Sequence, residues 1–338
     1  LISILEAANE MTQGKRMITC GGFVPWWLKH CRANWAGRNP DTSKHDAVPA
    51  EWRFVDILTA HNGMLDADAY GLTGLTNASV YQHCKLRDKY LQSHSGSEKT
   101  YDPKKTYVLF GMLDYDSAAW LAQAIPANWD DPNRGKVPLW WGFNPILSDR
   151  VPMVFDHVYS TLTPNDTVGA DEGLGYVNPN LLEGDRKFST LPPAGEMYLQ
   201  HAKPYFERFS MTTTVFVIVG DQVPVTERTL QILAETSPDG IGFQGGDRVR
   251  DGVYFGTAFK QEEQDWFYAM KPEETAKALE HFIRQKGAGG FVFFRCILFS
   301  PTQIVKAVEQ VRQQAPDLDF EVLDPVTYFR FMKKEKQP

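Results

Sequence analysis

Short apolar runs alternate with amphipathic or polar stretches along the whole chain. The runs that read as strands are Met17–Val24, Phe54–Leu58, Thr106–Leu113, Val137–Gly142, Met153–Tyr159, Thr167–Ala170, Thr213–Gly220, Gly240–Phe243, Gly290–Arg295 and Phe320–Leu323. Most are continuous β-branched or aromatic segments without a two-residue alternation. That is the pattern of strands covered on both faces, as in a parallel sheet. Between them lie helical signals. Ser300-Pro301-Thr302-Gln303 combines a Ser cap, Pro in the first turn and Gln three residues on, and Ile304, Val305, Val308 and Val311 then share one face. Glu273–Gln285 puts Ala276, Leu279, Phe282 and Ile283 on one stripe and ends in a glycine-rich turn; Thr226–Glu235 reads as a third helix. The β-α-β-α rhythm predicts an α/β fold with a mostly parallel sheet, closed as a barrel or open and doubly wound. With no repeat and no polar linker, residues 1–338 read as a single domain.

Composition narrows the class. Hydrophobic residues make up 43% and charged residues 23%, enough for a sizeable core. The formal net charge is -7, and the one lysine-rich run sits at the C-terminal end, so nucleic acid is not an expected partner. No segment approaches the roughly 20 apolar residues that span a bilayer. Neither a GxGxxG nor a Walker lysine motif, a GxSxG elbow or an HExxH pair occurs, which disfavours nucleotide binding, an α/β-hydrolase esterase and a zinc hydrolase. Cys20, Cys31, Cys84 and Cys296 lack CxxC spacing; Cys20 and Cys296 lie in apolar runs and read as buried free thiols. His157, inside one such run, reads as a core histidine. No cofactor and no metal site is expected.

Candidate chemistry lies at the C-terminal ends of the strands, where parallel α/β folds aim side chains into a shared mouth. Those ends carry Trp26, His61, Asp114, Asp116, Asn144, Asp171, Glu172, Asp221, Gln244 with Asp247, and Arg295. Asp114 and Asp116 stand at i and i+2; on an extended segment both point one way, with Cβ atoms roughly 6–7 Å apart. Two close carboxyls push one pKa up, giving an acid beside a base, and glycosidases use pairs about 5–5.5 Å or about 6.5–9.5 Å apart. The same pair could hold a divalent cation, or Asp116 could serve only to cap the helix after it. Asp171-Glu172 precedes the turn Gly173-Leu174-Gly175-Tyr176, where glycine permits a sharp bend or a close approach to a ligand. Aromatic residues reach 13%, and the doublets Trp26-Trp27 and Trp140-Trp141 put one ring on each face of a strand, so that one of each could face a cleft.

Gly173-Leu174-Gly175-Tyr176-Val177-Asn178-Pro179 resembles the motif that names the GxGYxYP family of putative glycoside hydrolases, with Asn178 where the family has its second Tyr. Gly22-Phe23-Val24-Pro25-Trp26, Asp66-Ala67-Asp68-Ala69, Asn77-Ala78-Ser79-Val80, Phe110 to Asp116 and Trp141-Gly142-Phe143-Asn144-Pro145 resemble further family segments in the same order. The resemblance implies a barrel-like (β/α) domain that normally follows another N-terminal region, in bacterial and mostly exported proteins, so a secreted or periplasmic location. It implies a carbohydrate partner but carries no catalytic assignment. The residues and the resemblance together give a glycoside hydrolase. Asp114, Asp116 and Glu172 are its expected catalytic carboxyls, and Trp26, Trp141, Asn144, Asp171, Tyr176, Asp221, Gln244 and Arg295 its expected substrate contacts. A non-catalytic carbohydrate-binding domain is the alternative.

Overall fold

The computed structural model describes residues 1–22, 28–29, 48–66, 78–81, 83–92, 98–219, 223–244, 249–263 and 271–335. The chain opens with helix α1 (Ile2–Thr12), strand β1 (Ile18–Gly21), the short antiparallel pair β2 (Leu28–Lys29) and β3 (Val48–Pro49), helix α2 (Ala50–Ala60), strand β4 (Gly63–Asp66) and helix α3 (Ala78–Tyr81). Strands β1 and β4 pair in parallel as a small separate sheet. Leu5 of α1, Val55 and Leu58 of α2, and Leu65 of β4 form its core.

The main sheet follows. Its strands are β5 (Thr106–Tyr115), β6 (Leu139–Phe143), β7 (Asp166–Asp171), β8 (Thr213–Phe216), β9 (Gly240–Phe243), β10 (Gly252–Tyr254), β11 (Thr257–Gln261), β12 (Phe291–Ile297) and β13 (Phe320–Val322). They lie in the order β10-β11-β9-β8-β7-β6-β5-β12, with β13 beside the start of β5, and every pairing but β10–β11 is parallel. The crossovers carry α4 (Ala118–Ala124), α5 (Pro152–Ser160), α6 (Gly195–Arg208), α7 (Glu227–Thr236), α8 (Pro272–Lys286) and α9 (Pro301–Gln314), and α10 (Pro325–Glu335) ends the chain. The sheet curls until the residue after Glu262 reaches the far edge: the Glu263 N–H donates to the Phe293 carbonyl at 3.0 Å.

The curl explains the uninterrupted apolar strands. In β5, Val108, Phe110 and Met112 pack outward on the helices, in one cluster with Leu121, Phe155, Ile283 and Val308. Tyr107, Leu109 and Leu113 point inward, in a second cluster with Trp140, Val215 and Phe293. Tyr328, Phe329 and Phe331 of α10 plug that interior at the ends where the strands begin. Small residues make room for the large ones: a Cβ at Gly169 would lie 2.6 Å from Trp140 Nε1, and one at Gly111 2.6 Å from the Phe293 ring. The inner face is a packed core rather than a channel.

Two apolar runs read as strands are helical. Phe54–Leu58 lies within α2, where Val55 and Leu58 face the core three residues apart. Met153–Tyr159 lies within α5, which buries Val154, Phe155, Val158 and Tyr159 at helical spacing after Pro152 in its first turn. A short apolar run hides a 3.6-residue period, so neither segment could be told from a strand by hydrophobicity alone. His157 is correspondingly no core residue: its side chain is 44% exposed, with Nε2 3.3 Å from Asp130. Strands β4, β10 and β11 had no sequence signal strong enough to be read. The capped helix at Ser300 is as expected, with Ser300 Oγ accepting from the Gln303 N–H at 3.2 Å.

Candidate active site

The carboxyl-terminal ends of the strands carry a buried charged cluster, and two irregularities in the sheet build it. Between β5 and β6 the register passes from Met112↔Trp141 to Tyr115↔Phe143, so three steps on β5 oppose two on β6. This bulge sits at Asp114, whose φ is +72°, a left-handed conformation that costs a non-glycine residue energy. Met112 and Tyr115 therefore both face outward, Tyr115 packing on Trp141 and Phe143. Leu113 and Asp114 are left to the inner side. A second extra residue on β8, between Ala170↔Thr214 and Asp171↔Phe216, brings Phe216 inward beside Val215.

Regular alternation supplies the rest. In β12, Phe291 and Phe293 point inward and Arg295 comes next on the same face. In β7, Gly169 faces Trp140, and Asp171 follows it two residues on. Gly142 of β6 leaves the space the Asp171 carboxyl fills: a Cβ there would lie 3.3 Å from Asp171 Cγ. The Arg295 guanidinium lies over the Phe216 ring, Cζ 4.2 Å from its centre. Its Nη1 is 3.4 Å from both Glu262 carboxylate oxygens, and its Nη2 is 3.7 Å from Asp114 Oδ1.

The carboxyls differ in their access to solvent. The Asp114 side chain keeps 29% exposure, whereas those of Arg295 and Glu262 keep 11% and 3%. Asp171 is 2% exposed. Its carboxyl accepts hydrogen bonds from the backbone N–H groups of Asp114 and Tyr115, the donors that the bulge frees from the ladder, while Oδ2 has no partner. Desolvation, then the Asp114 charge, push its pKa well above the usual carboxylate range; Arg295 and the two N–H donors oppose this without cancelling it. Desolvation likewise raises the Asp114 pKa, against the pull of Arg295. The mouth thus holds a buried carboxyl and a reachable one beside it, both with raised proton affinity.

The other expected site residues divide. Asp116 lies just past the end of β5, partly buried. The first helical bond of α4 runs from the Leu121 N–H to the Ser117 carbonyl, which puts Ser117, not Asp116, at the cap position. Glu172 is buried at φ +57°, its N–H donating to the Phe216 carbonyl at 2.7 Å. Gln244 follows β9, bonded through its backbone to Val217 and Val219. Trp141 is wholly buried on the outer face of the sheet, and its Nε1 donates to Asp166 at 2.9 Å. Its doublet partner Trp140 is buried in the interior and donates to Thr213 Oγ1. Neither indole lines a cleft. Trp26, Asp221 and Asp247 lie outside the described residues. Glu262 and Phe216 are site residues that the sequence reading misses; the available signal for Glu262 is a pair of acids, Glu262-Glu263, separated by two residues from the short run Thr257-Ala258-Phe259.

The glycine-rich turn after Asp171 has a structural duty. Tyr176, 1% exposed, exchanges both backbone hydrogen bonds with Leu65 of β4, at 2.9 and 3.0 Å, and so ties the small sheet to the barrel mouth. Gly173 meets Tyr198 and Gly175 meets Met64, in both cases at positive φ where a Cβ would collide. Asn144 Oδ1 accepts from the Gly175 N–H at 2.9 Å, and Asn178 donates to Asp56 of α2. Buried Arg186 completes the joint, donating to Asn62 Oδ1 and to the carbonyls of Thr59, Leu181 and Pro192. Among the described residues no three His, Cys, Asp or Glu side chains gather as metal ligands, and no helix is long and apolar enough to cross a membrane.

Comparison with known proteins fits this architecture. A putative hydrolase from Bacteroides thetaiotaomicron VPI-5482 superposes with a TM-score of 0.65 at 15% identity, over 85% of this chain and 56% of the other. This chain therefore spans little more than half the length of that protein, and the likeness shows the fold. A putative polysaccharide deacetylase from Mycobacterium smegmatis superposes with a TM-score of 0.44 at 12% identity, over 75% of this chain and 97% of the other. No curated protein matches the sequence. The family model described as the GxGYxYP putative glycoside hydrolase C-terminal domain matches residues 104–333, which takes in every strand of the main sheet. The chain belongs to the GxGYxYP family of putative glycoside hydrolases.

Proposed function

We propose that this chain hydrolyses glycosidic bonds at the carboxyl-terminal mouth of the curled sheet, with Asp114 as the carboxyl that reaches the substrate. The observation that carries this reading is the bulge that turns Asp114 inward while leaving it 29% exposed, above a nearly fully buried Asp171. A carboxyl with raised proton affinity can protonate a leaving-group oxygen, the first requirement of glycoside cleavage. Asp116 or Glu172, further acids at the ends of β5 and β7, supplies the second carboxyl, as base or nucleophile. Asp171 acts through Asp114: it holds the two backbone donors of the bulge and so fixes where the Asp114 side chain emerges.

The alternative of a non-catalytic sugar-binding domain draws its support from aromatic platforms, and Trp141 and Tyr176 are both buried. Catalysis is the better-supported reading. Incubating the wild-type protein with a panel of oligosaccharides, and scoring both binding and the appearance of new reducing ends, tests it. Binding throughout the panel without any new reducing end would refute hydrolysis.

A further inference from the structure

The Arg295 guanidinium serves two carboxylates unequally. Its Nη1 faces both oxygens of Glu262 at 3.4 Å in a nearly dry environment, while its Nη2 is 3.7 Å from a more exposed Asp114. Charges interact more strongly where water is excluded, so the Glu262 arm takes the larger part of the cation's field. Glu262 is also the better fixed of the two. Its own N–H donates to the Phe243 carbonyl at 3.1 Å, and the next N–H to Phe293 at 3.0 Å, so the backbone that carries it is stitched to β9 on one side and β12 on the other. The Phe216 ring lies beneath Cζ, 4.2 Å from its centre, and supports the guanidinium between the two acids.

We propose that Glu262 is a positioning residue that holds Arg295 back from Asp114 and thereby leaves Asp114 able to take up and release a proton. This rests on the reading of Asp114 as the reacting carboxyl. Among the described residues, the titratable or charged groups around Asp114 are Asp171 from β7 with Glu172 after it, Arg295 from β12, Glu262 after β11, and Tyr115 and Asp116 on its own segment; β8 contributes Phe216, and β6 and β9 lead into the uncharged Asn144 and Gln244. Arg295 is a cation shared between Glu262 and Asp114, so how it divides between these two acids bears directly on how far Asp114 is neutralised.

The test is a pH titration of the Asp114 carboxyl by 13C NMR on protein labelled at aspartate side chains, the signal being assigned by its loss in Asp114→Asn. In Glu262→Gln, Arg295 is released to Asp114, and the Asp114 midpoint should fall by about one pH unit, a tenfold loss of proton affinity. Glu262→Asp, which keeps the charge, should restore most of the wild-type midpoint, which a purely structural role would not require. An Asp114 midpoint in Glu262→Gln that stays put or rises overturns the proposal. Should that variant fail to fold, Arg295→Met replaces it: without the guanidinium the Asp114 midpoint should rise, and an unchanged midpoint overturns the coupling. The titration needs no substrate, so its result is independent of whether any glycan is cleaved.

Discussion

Replacing Asp171 by Asn should give a protein whose stability gains on that of wild type as pH rises. The substitution is nearly isosteric, and the amide oxygen can still accept from the Asp114 and Tyr115 N–H groups, so the bulge clamp survives. What changes is titration. In the unfolded chain Asp171 ionises near the ordinary value of about 3.9, but in the folded protein burial and the Asp114 charge hold its proton to well higher pH. The unfolded state therefore releases a proton that the native state keeps. The favourable contribution of the protonated group is complete below the unfolded pKa and is lost as pH rises toward the folded one. Over that window the loss amounts to about 1.4 kcal/mol per pH unit, a slope that an asparagine at this position cannot contribute. Urea unfolding of wild type and Asp171→Asn at several pH values above about 4 measures it, with the variant gaining on wild type until the pH passes the folded-state pKa. Parallel stability curves would refute the claim that Asp171 is buried as the neutral acid.

Two further outcomes follow from the packing. Gly175→Ala puts a Cβ 2.7 Å from Met64 Sδ at φ +67°, so it should cost about 1–3 kcal/mol and speed amide exchange in β4 more than in β5, read by hydrogen-exchange mass spectrometry. Lys260→Met removes the buried ammonium shared by Asp251 and Glu263; Glu263 keeps Lys286 at 2.9 Å and the Asp251 side chain is 34% exposed, so the loss by chemical denaturation at neutral pH should be about 1–3 kcal/mol.

Much of the architecture was legible because uninterrupted apolar strands and well-capped helices leave few alternatives to a mostly parallel sheet. The misread segments were short apolar runs whose helical period shows only when their neighbours are known, as in α2 and α5. Strand-end position also marked Asp114, Asp171 and Arg295. The two bulges were invisible, since an extra residue in a strand leaves no mark in the hydrophobic pattern. Regular alternation would turn Asp114 outward, toward the helices. The bulge is what brings it to Arg295. The family motif carries a packing requirement that the sequence did not reveal: Gly173 and Gly175 are needed for close contact with Tyr198 and Met64. The tryptophan doublet at Trp140-Trp141 gave a false cue for a cleft wall, because both faces of this sheet are covered.

The most direct measurement is the rate at which Asp114→Asn releases reducing ends from the oligosaccharide that the wild-type protein cleaves best, compared at equal folded fraction. The account predicts a fall of about 10²–10⁴-fold with binding retained, the usual effect of removing a positioned acid. Cleavage at the wild-type rate would contradict it, and would place the chemistry away from the Asp114 bulge.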